Sequence, residues 1–494
     1  MKSTRNFLFL FAAAASVASY AADIENTTLY QRHTPGTVDV NNTWGLTNDG
    51  ERLSDDLTVD YSTIDLKIGV GDSVGEWEGT YEMAGPGTNN FTVKSITIDL
   101  AKAGSWSTWN NSESNADMVL NVTEDFTIKG NFYKGHLPDN NTTFALNVGG
   151  SLNMVSRDDR SSVTTVNFGI PNGPGYVRAF SELNVTGNLN IGANIDFSSV
   201  IGNGGSFGSY INIGGDIVMG GDATHAANWE MGNAWIDKSI MIFAKGLKSV
   251  TANNVIHAKP DGANSDYTFD LGGNSEEGDV SDFAGTFVSE NNGTRTATIN
   301  FSKSGMGTQI VRTSQADNWT GVVYVHEGRF YLGASGAGNK VDVTIYDGLF
   351  GAVSDTLGSD IGTSVISTLA WEEGMGGLLV NVDGGANSIL QIADSLTFNG
   401  SEFNFYFEGD LSGIDSIASI ITWDSANETI KAALEEAITE GYLQAYVNGE
   451  YIDAALFAIN GNSLGVSGLI PEASEMAVIF GALSLAFALY RRRK

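Results

Sequence analysis

The chain has 494 residues, with 58 acidic against 26 basic side chains and a formal net charge of −32. A surface this acidic repels DNA, RNA and anionic lipid, which excludes binding that works through phosphate contacts. There is no cysteine, so no disulfide staples the fold, and a hydrophobic content of 42 % with 60 glycines and only 7 prolines describes a packed, turn-rich chain rather than a disordered one.

The predicted elements begin with a secretory signal over residues 1–21. Lys2 and Arg5 give a positive start, Phe7–Ala15 is an unbroken apolar run, and Ser19 and Ala21 stand at the −3 and −1 positions of a small-residue cleavage site. The run is too short to anchor the chain, so signal peptidase is expected to cut after Ala21, with Ala22 as second choice. Residues 22–90 carry Trp44, Trp77 and Pro86 without a clear repeat, and are expected to form an N-terminal cap or irregular coils.

Residues 91–426 hold a recurring pattern: apolar, Asn, apolar, three turn-type residues, then apolar, any, apolar. Its copies start at Leu120, Leu146, Leu183 and Ile211, which are 26, 37 and 28 residues apart, with weaker echoes at Phe269, Ile299 and Val380. Period-two alternation is strand chemistry, and self-similarity at this spacing marks a repeat architecture. The fold predicted is all-β, a parallel β-solenoid (β-helix) whose strands stack coil on coil. Leu120, Val122, Leu146, Val148, Leu183, Val185, Ile211 and Ile213 should point inward. The intervening Asn could stack on the Asn of the next coil, but is expected to face water. Gly149-Gly150, Gly187-Asn188 and Gly214-Gly215 are expected to turn the corner through positive φ, with Glu124-Asp125 doing so less readily.

Between Lys303 and Gly333 the order is Gly305-Met306-Gly307-Thr308, Asn318-Trp319-Thr320-Gly321, Val323-Tyr324-Val325, Gly328 and Phe330-Tyr331-Leu332-Gly333. This stretch resembles the autotransporter-associated β-strand repeat, whose copies build β-helical passenger regions of surface proteins. The resemblance covers about one coil, and no C-terminal β-barrel pattern follows it.

Residues 427–470 read as a C-terminal cap and linker. Ile430, Ala433, Leu434, Ala437 and Ile438 form an apolar stripe on a helix spanning Asn427–Glu440, with Gly441 as its stop. Residues 471–494 then form a tail. Met476–Tyr490 is apolar except for Ser484, shorter than the roughly 20 residues of a straight span, and Arg491, Arg492, Arg493 and Lys494 follow at once. Four terminal cations stay cytoplasmic, which puts the body outside, held by a single C-terminal membrane helix. Pro471-Glu472-Ala473, the apolar stretch and the basic end resemble the PEP-CTERM sorting signal of Gram-negative surface proteins. That resemblance implies recognition by an exosortase, transient anchoring in the inner membrane, and release to the cell surface or an extracellular matrix. Ala473 stands where that family usually has Pro.

Little in the chain suggests catalysis, and nothing calls for a cofactor. His33, His136, His225, His257 and His326 lack metal-ligand spacing. Gly204–Gly208 around Ser206 matches a nucleophile-elbow pattern but is not followed by a helix. Asp158-Asp159, flanked by Arg157 and Arg160, and the pairs Glu276-Glu277 and Glu372-Glu373 are the carboxylates a polysaccharide lyase or hydrolase would need; exposed charged turns account for them better. Trp106 and Trp109 are candidate carbohydrate contacts, although positions three apart in a strand fall on opposite faces. The reading is a structural or adhesive surface protein rather than an enzyme. Its alternatives are a carbohydrate-active β-helix enzyme and a carbohydrate-binding surface protein. Signal peptidase, exosortase, the membrane and polysaccharide are the partners this implies.

Overall fold

The structure is a computed structural model that describes residues 25–31, 44–45, 61–68, 78–82, 90–99, 106–110, 118–134, 144–157, 163–168, 182–201, 210–233, 238–260, 264–314, 316–336, 340–372 and 374–469. The fold is all-β and built as a parallel β-solenoid. It divides into two compact units, residues 1–237 with 261–263, and residues 238–260 with 264–494.

The first unit has three faces. Its first face stacks Asn90–Val93, Met118–Val122, Phe144–Val148, Glu182–Val185 and Tyr210–Ile213 in parallel. The second stacks Asp65–Ile68, Ser95–Asp99, Phe126–Lys129, Leu152–Val155, Leu189–Gly192 and Asp216–Gly220. The third stacks Glu78–Glu82, Trp106–Asn110, Asn131–Lys134, Thr164–Asn167, Ile195–Ile201 and Ala227–Asn233. Coils therefore begin within residues 22–90: Asp65–Ile68 is already in the stack, and Thr28–Gln31 pairs with it in parallel.

The register puts like on like. Leu120, Leu146, Leu183 and Ile211 align, as do Val122, Val148, Val185 and Ile213, and all eight are buried as the alternation requires. The second face adds Phe126, Ile128, Leu152, Met154, Leu189, Ile191, Ile217 and Met219 to the core. The third adds an aromatic column in which Phe132, Phe168, Phe197 and Trp229 contact in sequence at centroid distances of 5.2, 5.8 and 5.6 Å. Deep in that column the Trp229 indole N–H donates to Ser199 Oγ at 2.8 Å.

The corners between the first and second faces do not use positive φ, contrary to the sequence expectation: none of Gly149, Gly150, Gly187, Asn188, Gly214 or Gly215 is left-handed. Glycine is needed there because the coils touch. A Cβ on Gly149 would stand 2.2 Å from the Thr123 carbonyl oxygen, and one on Gly214 would stand 2.3 Å from that of Thr186. The backbone ladder runs straight through the bend, with Gly150 N–H donating to Glu124 O, Gly187 N–H to Gly150 O and Gly215 N–H to Gly187 O at 2.8–2.9 Å.

The second unit has two long faces and, among the described residues, a short third one. Its first face contains Lys238–Ala244, Ser265–Leu271, Ala297–Lys303, Thr320–Val325, Lys340–Ile345, Thr363–Glu372, Ile389–Asn399 and Ser416–Trp423. Its second contains Gly246–Ser249, Val280–Phe283, Thr308–Thr313, Arg329–Ala334, Leu349–Ala352, Gly377–Asp383, Phe403–Gly409 and Leu443–Val447. The third face has two strands here, Val255–Lys259 and Thr286–Ser289. It ends against a 3-10 turn, Ala316–Asn318, and the buried Trp319, whose ring lies 5.0 Å from Phe287 and whose indole N–H donates to Ile299 O at 2.7 Å. Ser289 Oγ receives the Thr320 N–H and donates to the Thr320 carbonyl, closing the edge.

The C-terminal end is capped, as a solenoid requires. The helix Glu428–Thr439 buries Ile430, Leu434 and Ala437, while Ala433 and Ile438 are only half-buried; Gly441 follows with φ +75°. The hairpin Leu456–Asn460/Ser463–Ser467 pairs antiparallel with Ser416–Trp423 and brings Phe457 to 4.9 Å from the core ring of Phe405.

Candidate functional site: polar ladders, a glycine corner and an outer strip

Outward positions on the first face of the first unit form an amide ladder. Asn121 Nδ2 donates to Asn90 Oδ1, Asn147 to Asn121, Asn184 to Asn147 and Asn212 to Asn184, at 2.6–2.8 Å. Each interior amide thus donates to one coil and accepts from the next, at the roughly 4.8 Å strand spacing that matches an amide's reach. The expectation that these side chains face water is corrected: the aligned register brings each amide within reach of the next, and they stack. A second, shorter ladder runs from Asn190 through Asn153 to Thr127. In the second unit the equivalent pairings join unlike residues: Thr298 donates to Asp266 and Thr368 to Asp342.

The stretch around Gly305 forms a tight junction of three coils. A Cβ on Gly305 would fall 1.6 Å from Gly272 O, and one on Gly321 would fall 1.9 Å from Ile299 O; Gly328 has φ +64°. Lys303 is buried in this junction at 1 % exposure and its ammonium donates to Gly305 O. Burial pulls its pKa down to about 8, against the opposing pull of Glu327 and Asp270.

On the outer side of the second face, the aligned positions Ile310, Tyr331, Gly351, Leu379, Tyr406 and Tyr446 make a strip running from coil to coil. Tyr331, Val353 and Leu379 are buried there, packed with Ile310, Leu349 and Tyr406. Residues 353–362 strap this half of the strip. Arg312, itself buried, holds the strap: its Nη1 donates to the carbonyls of Ser354, Thr356 and Ser359 at 2.6–3.1 Å, and Nη2 reaches Asp360 Oδ1 at 3.4 Å. Its Nε donates to both oxygens of Asp282 at 3.0 Å. Desolvation pushes the Asp282 carboxyl above its ordinary range, outweighing the Arg312 charge beside it. Arg329 and Glu408 add a two-pronged ion pair at 2.6 and 2.9 Å. Nothing in the hydrophobic alternation pointed to the strap, because Arg312, Ser354 and Ser359 are far apart in sequence.

Among the described residues the sequence candidates do not converge. Trp106 and Trp109 share the strand Trp106–Asn110, in unbroken register with Asn131–Lys134; their side chains lie outside the described residues. Glu276 and Glu277 occupy an exposed turn, in which the Glu276 N–H donates to Asp279 Oδ2. Glu372 accepts from Asn399 Nδ2 at 2.8 Å. Arg157 is buried, whereas Asp158, Asp159, Arg160, Ser206, Glu373, His33 and His136 lie outside the described residues, as do Ser19, Ala21, Pro471, Glu472, Ala473, Arg491, Arg492 and Arg493. His225 folds against Asp222, His257 pairs with Glu290 at 3.2 Å, and His326 stacks on Tyr346 at 4.6 Å. Among the described residues no three His, Cys, Asp or Glu are grouped to hold a metal ion, and no helix is long and apolar enough to cross a membrane. Compared with known proteins, the chain matches no family model, no curated protein and no solved structure.

Proposed function

We propose that this chain is an exported structural or adhesive β-solenoid, sorted by an exosortase-type system and displayed at the cell surface or in an extracellular matrix. The observation that carries the reading is how the outward polar groups are used. The aligned Asn from Asn90 to Asn212 are bonded to one another across the coils, so this outward column stiffens the stack, as suits a structural role. The hairpin Leu456–Ser467 caps the C-terminal strands, which suits a structural protein that must not polymerise through open strand edges. The route outward rests on Lys2–Ala21 and on the tail from Pro471 to Lys494, whose resemblance to the sorting signal supplies the address.

The test is the intact mass and location of the mature protein in its native cell, beside a variant lacking residues 471–494. Loss of the segment near residue 471 together with surface or medium release supports the reading. A retained tail with the protein resident in the inner membrane overturns it.

A further inference from the structure

The outer strip on the second face of the second unit is only half covered. Its first half, Tyr331 and Leu379, lies under residues 353–362 and Val353, and Tyr331 is 8 % exposed. Its second half continues at the same register through Tyr406 and Tyr446 to Tyr451 on the short return strand Glu450–Tyr451. Among the described residues no strap follows it there: Tyr451 is 54 % exposed and Met375, at the neighbouring corner, 80 % exposed.

We infer that Tyr406, Tyr446 and Tyr451, with Asn404 and Met375 beside them, form a binding site for a neutral polysaccharide chain. Three observations select that occupant. First, the rings are fixed in place. Tyr406 stacks on Tyr446 at 4.9 Å and 19°, the Tyr406 hydroxyl donates to Met375 O, and the Tyr446 hydroxyl donates to Gln444 Oε1 at 3.1 Å. Tyr451, tilted 59° from Tyr446, turns out of the stack and offers a ring face on which the C–H side of a sugar can lie. Second, the strand holding Tyr406 places Asn404 two residues away, on the same side of the sheet. Asn404 is 6 % exposed, and its Oδ1 accepts no hydrogen bond while its Nδ2 reaches Gly376 O at 3.4 Å. A buried acceptor without a donor is costly; this oxygen is itself enclosed, so a rotation of the amide toward the strip is what would offer it to a sugar hydroxyl. Third, the exposed charges nearest Tyr451 along the chain, Glu450 and Asp453, are acidic, which disfavours an anionic glycan over a neutral one. The site is not the Trp106/Trp109 pair, and it stands independently of how the protein is exported.

The experiment is affinity electrophoresis of the purified full chain in gels containing laminarin, hydroxyethylcellulose or dextran, with the variants Tyr451→Ala, Tyr451→Phe and Tyr446→Ala/Tyr451→Ala. The expected result is retardation of the parent by at least one polysaccharide. Tyr451→Ala should weaken apparent affinity about tenfold, the double variant should abolish retardation, and Tyr451→Phe, which keeps the ring, should restore it. Tyr451 is exposed and lies on a two-residue strand, so its single variant folds even if the double does not. The inference is overturned if none of the three polysaccharides retards the parent, or if Tyr451→Ala leaves retardation unchanged. It is equally overturned if sedimentation shows a dimer that Tyr451→Ala dissolves, which would make the strip a contact between two copies. These outcomes are read on purified protein, so they are separate from any failure of the sorting reading in cells.

Discussion

In the first unit Asn147 sits between Asn121 and Asn184 and bonds to both through one kind of group. In the second unit the comparable burden falls on single residues that have no counterpart in neighbouring coils, such as Arg312, which ties Asp282 to three carbonyls of residues 353–362. The first arrangement distributes stability, since each coil contributes a similar small amount and loses only that amount when altered. The second concentrates it, since a buried charge holds several polar groups whose desolvation is uncompensated once it is removed.

That contrast can be broken most forcefully at the places where coils touch. Gly305→Ala puts a methyl group where Gly272 O already lies, and is expected to cost more than about 4 kcal/mol in urea unfolding. A loss below 1 kcal/mol would mean that the corner relaxes freely and that coil contact does not dictate the glycine. Arg312→Ala should cost about 3–4 kcal/mol and expose Tyr331, raising dye binding to apolar surface. Pairing it with Asp282→Asn should recover part of the loss, because the orphaned carboxylate is then gone; purely additive losses would show that the clasp is not cooperative.

Lys303 sharpens the contrast through pH. Its folded pKa, about 8, lies below its ordinary value of 10.5, so between these values the unfolded chain holds more protons and stability rises with pH. The gain from pH 8 to 9.5 should be about 1.5 kcal/mol. It should vanish in Lys303→Met, measured by chemical denaturation at both pH values. Above pH 10 the trend is opposed by Tyr331 and Tyr406, whose hydroxyls burial holds above the ordinary phenol range, so folded tyrosine ionises later than unfolded. The ladder itself is the gentler test. Asn147→Ala removes one donor and one acceptor from the middle of the column and should cost about 1–2 kcal/mol, with the increased hydrogen exchange confined to the adjoining coils. The smallest effect is expected at the exposed turn, where Glu277→Gln should change stability by less than about 0.5 kcal/mol.

The sequence by itself determined the repeat. Strict alternation at Leu120-Asn121-Val122 and its copies assigned the inward side, and the helix with its Gly441 stop was legible from its 3.6-residue stripe, because both signals are local. Trp319 belongs to the stretch that resembles the autotransporter-associated repeat, and the structure gives it a place at the point where the third face stops. The reason for the corner glycines was misjudged. Their need arises from the neighbouring coil's carbonyl, which lies 26 to 37 residues away and leaves no trace in local backbone preference.

The remaining features depend on contacts between coils. Whether Asn147 faces water or another amide depends on register, and register is fixed when the apolar columns align. The Arg312 clasp joins residues 30 to 48 positions apart, and Lys303 becomes a buried amine only because three glycine corners close around it. The tyrosine strip exists because Leu379, Tyr406 and Tyr446 fall at one register position on successive coils. Periodicity along the chain specifies which side of a strand is apolar. Contacts across coils depend on the length of each intervening segment, and that length varies from copy to copy.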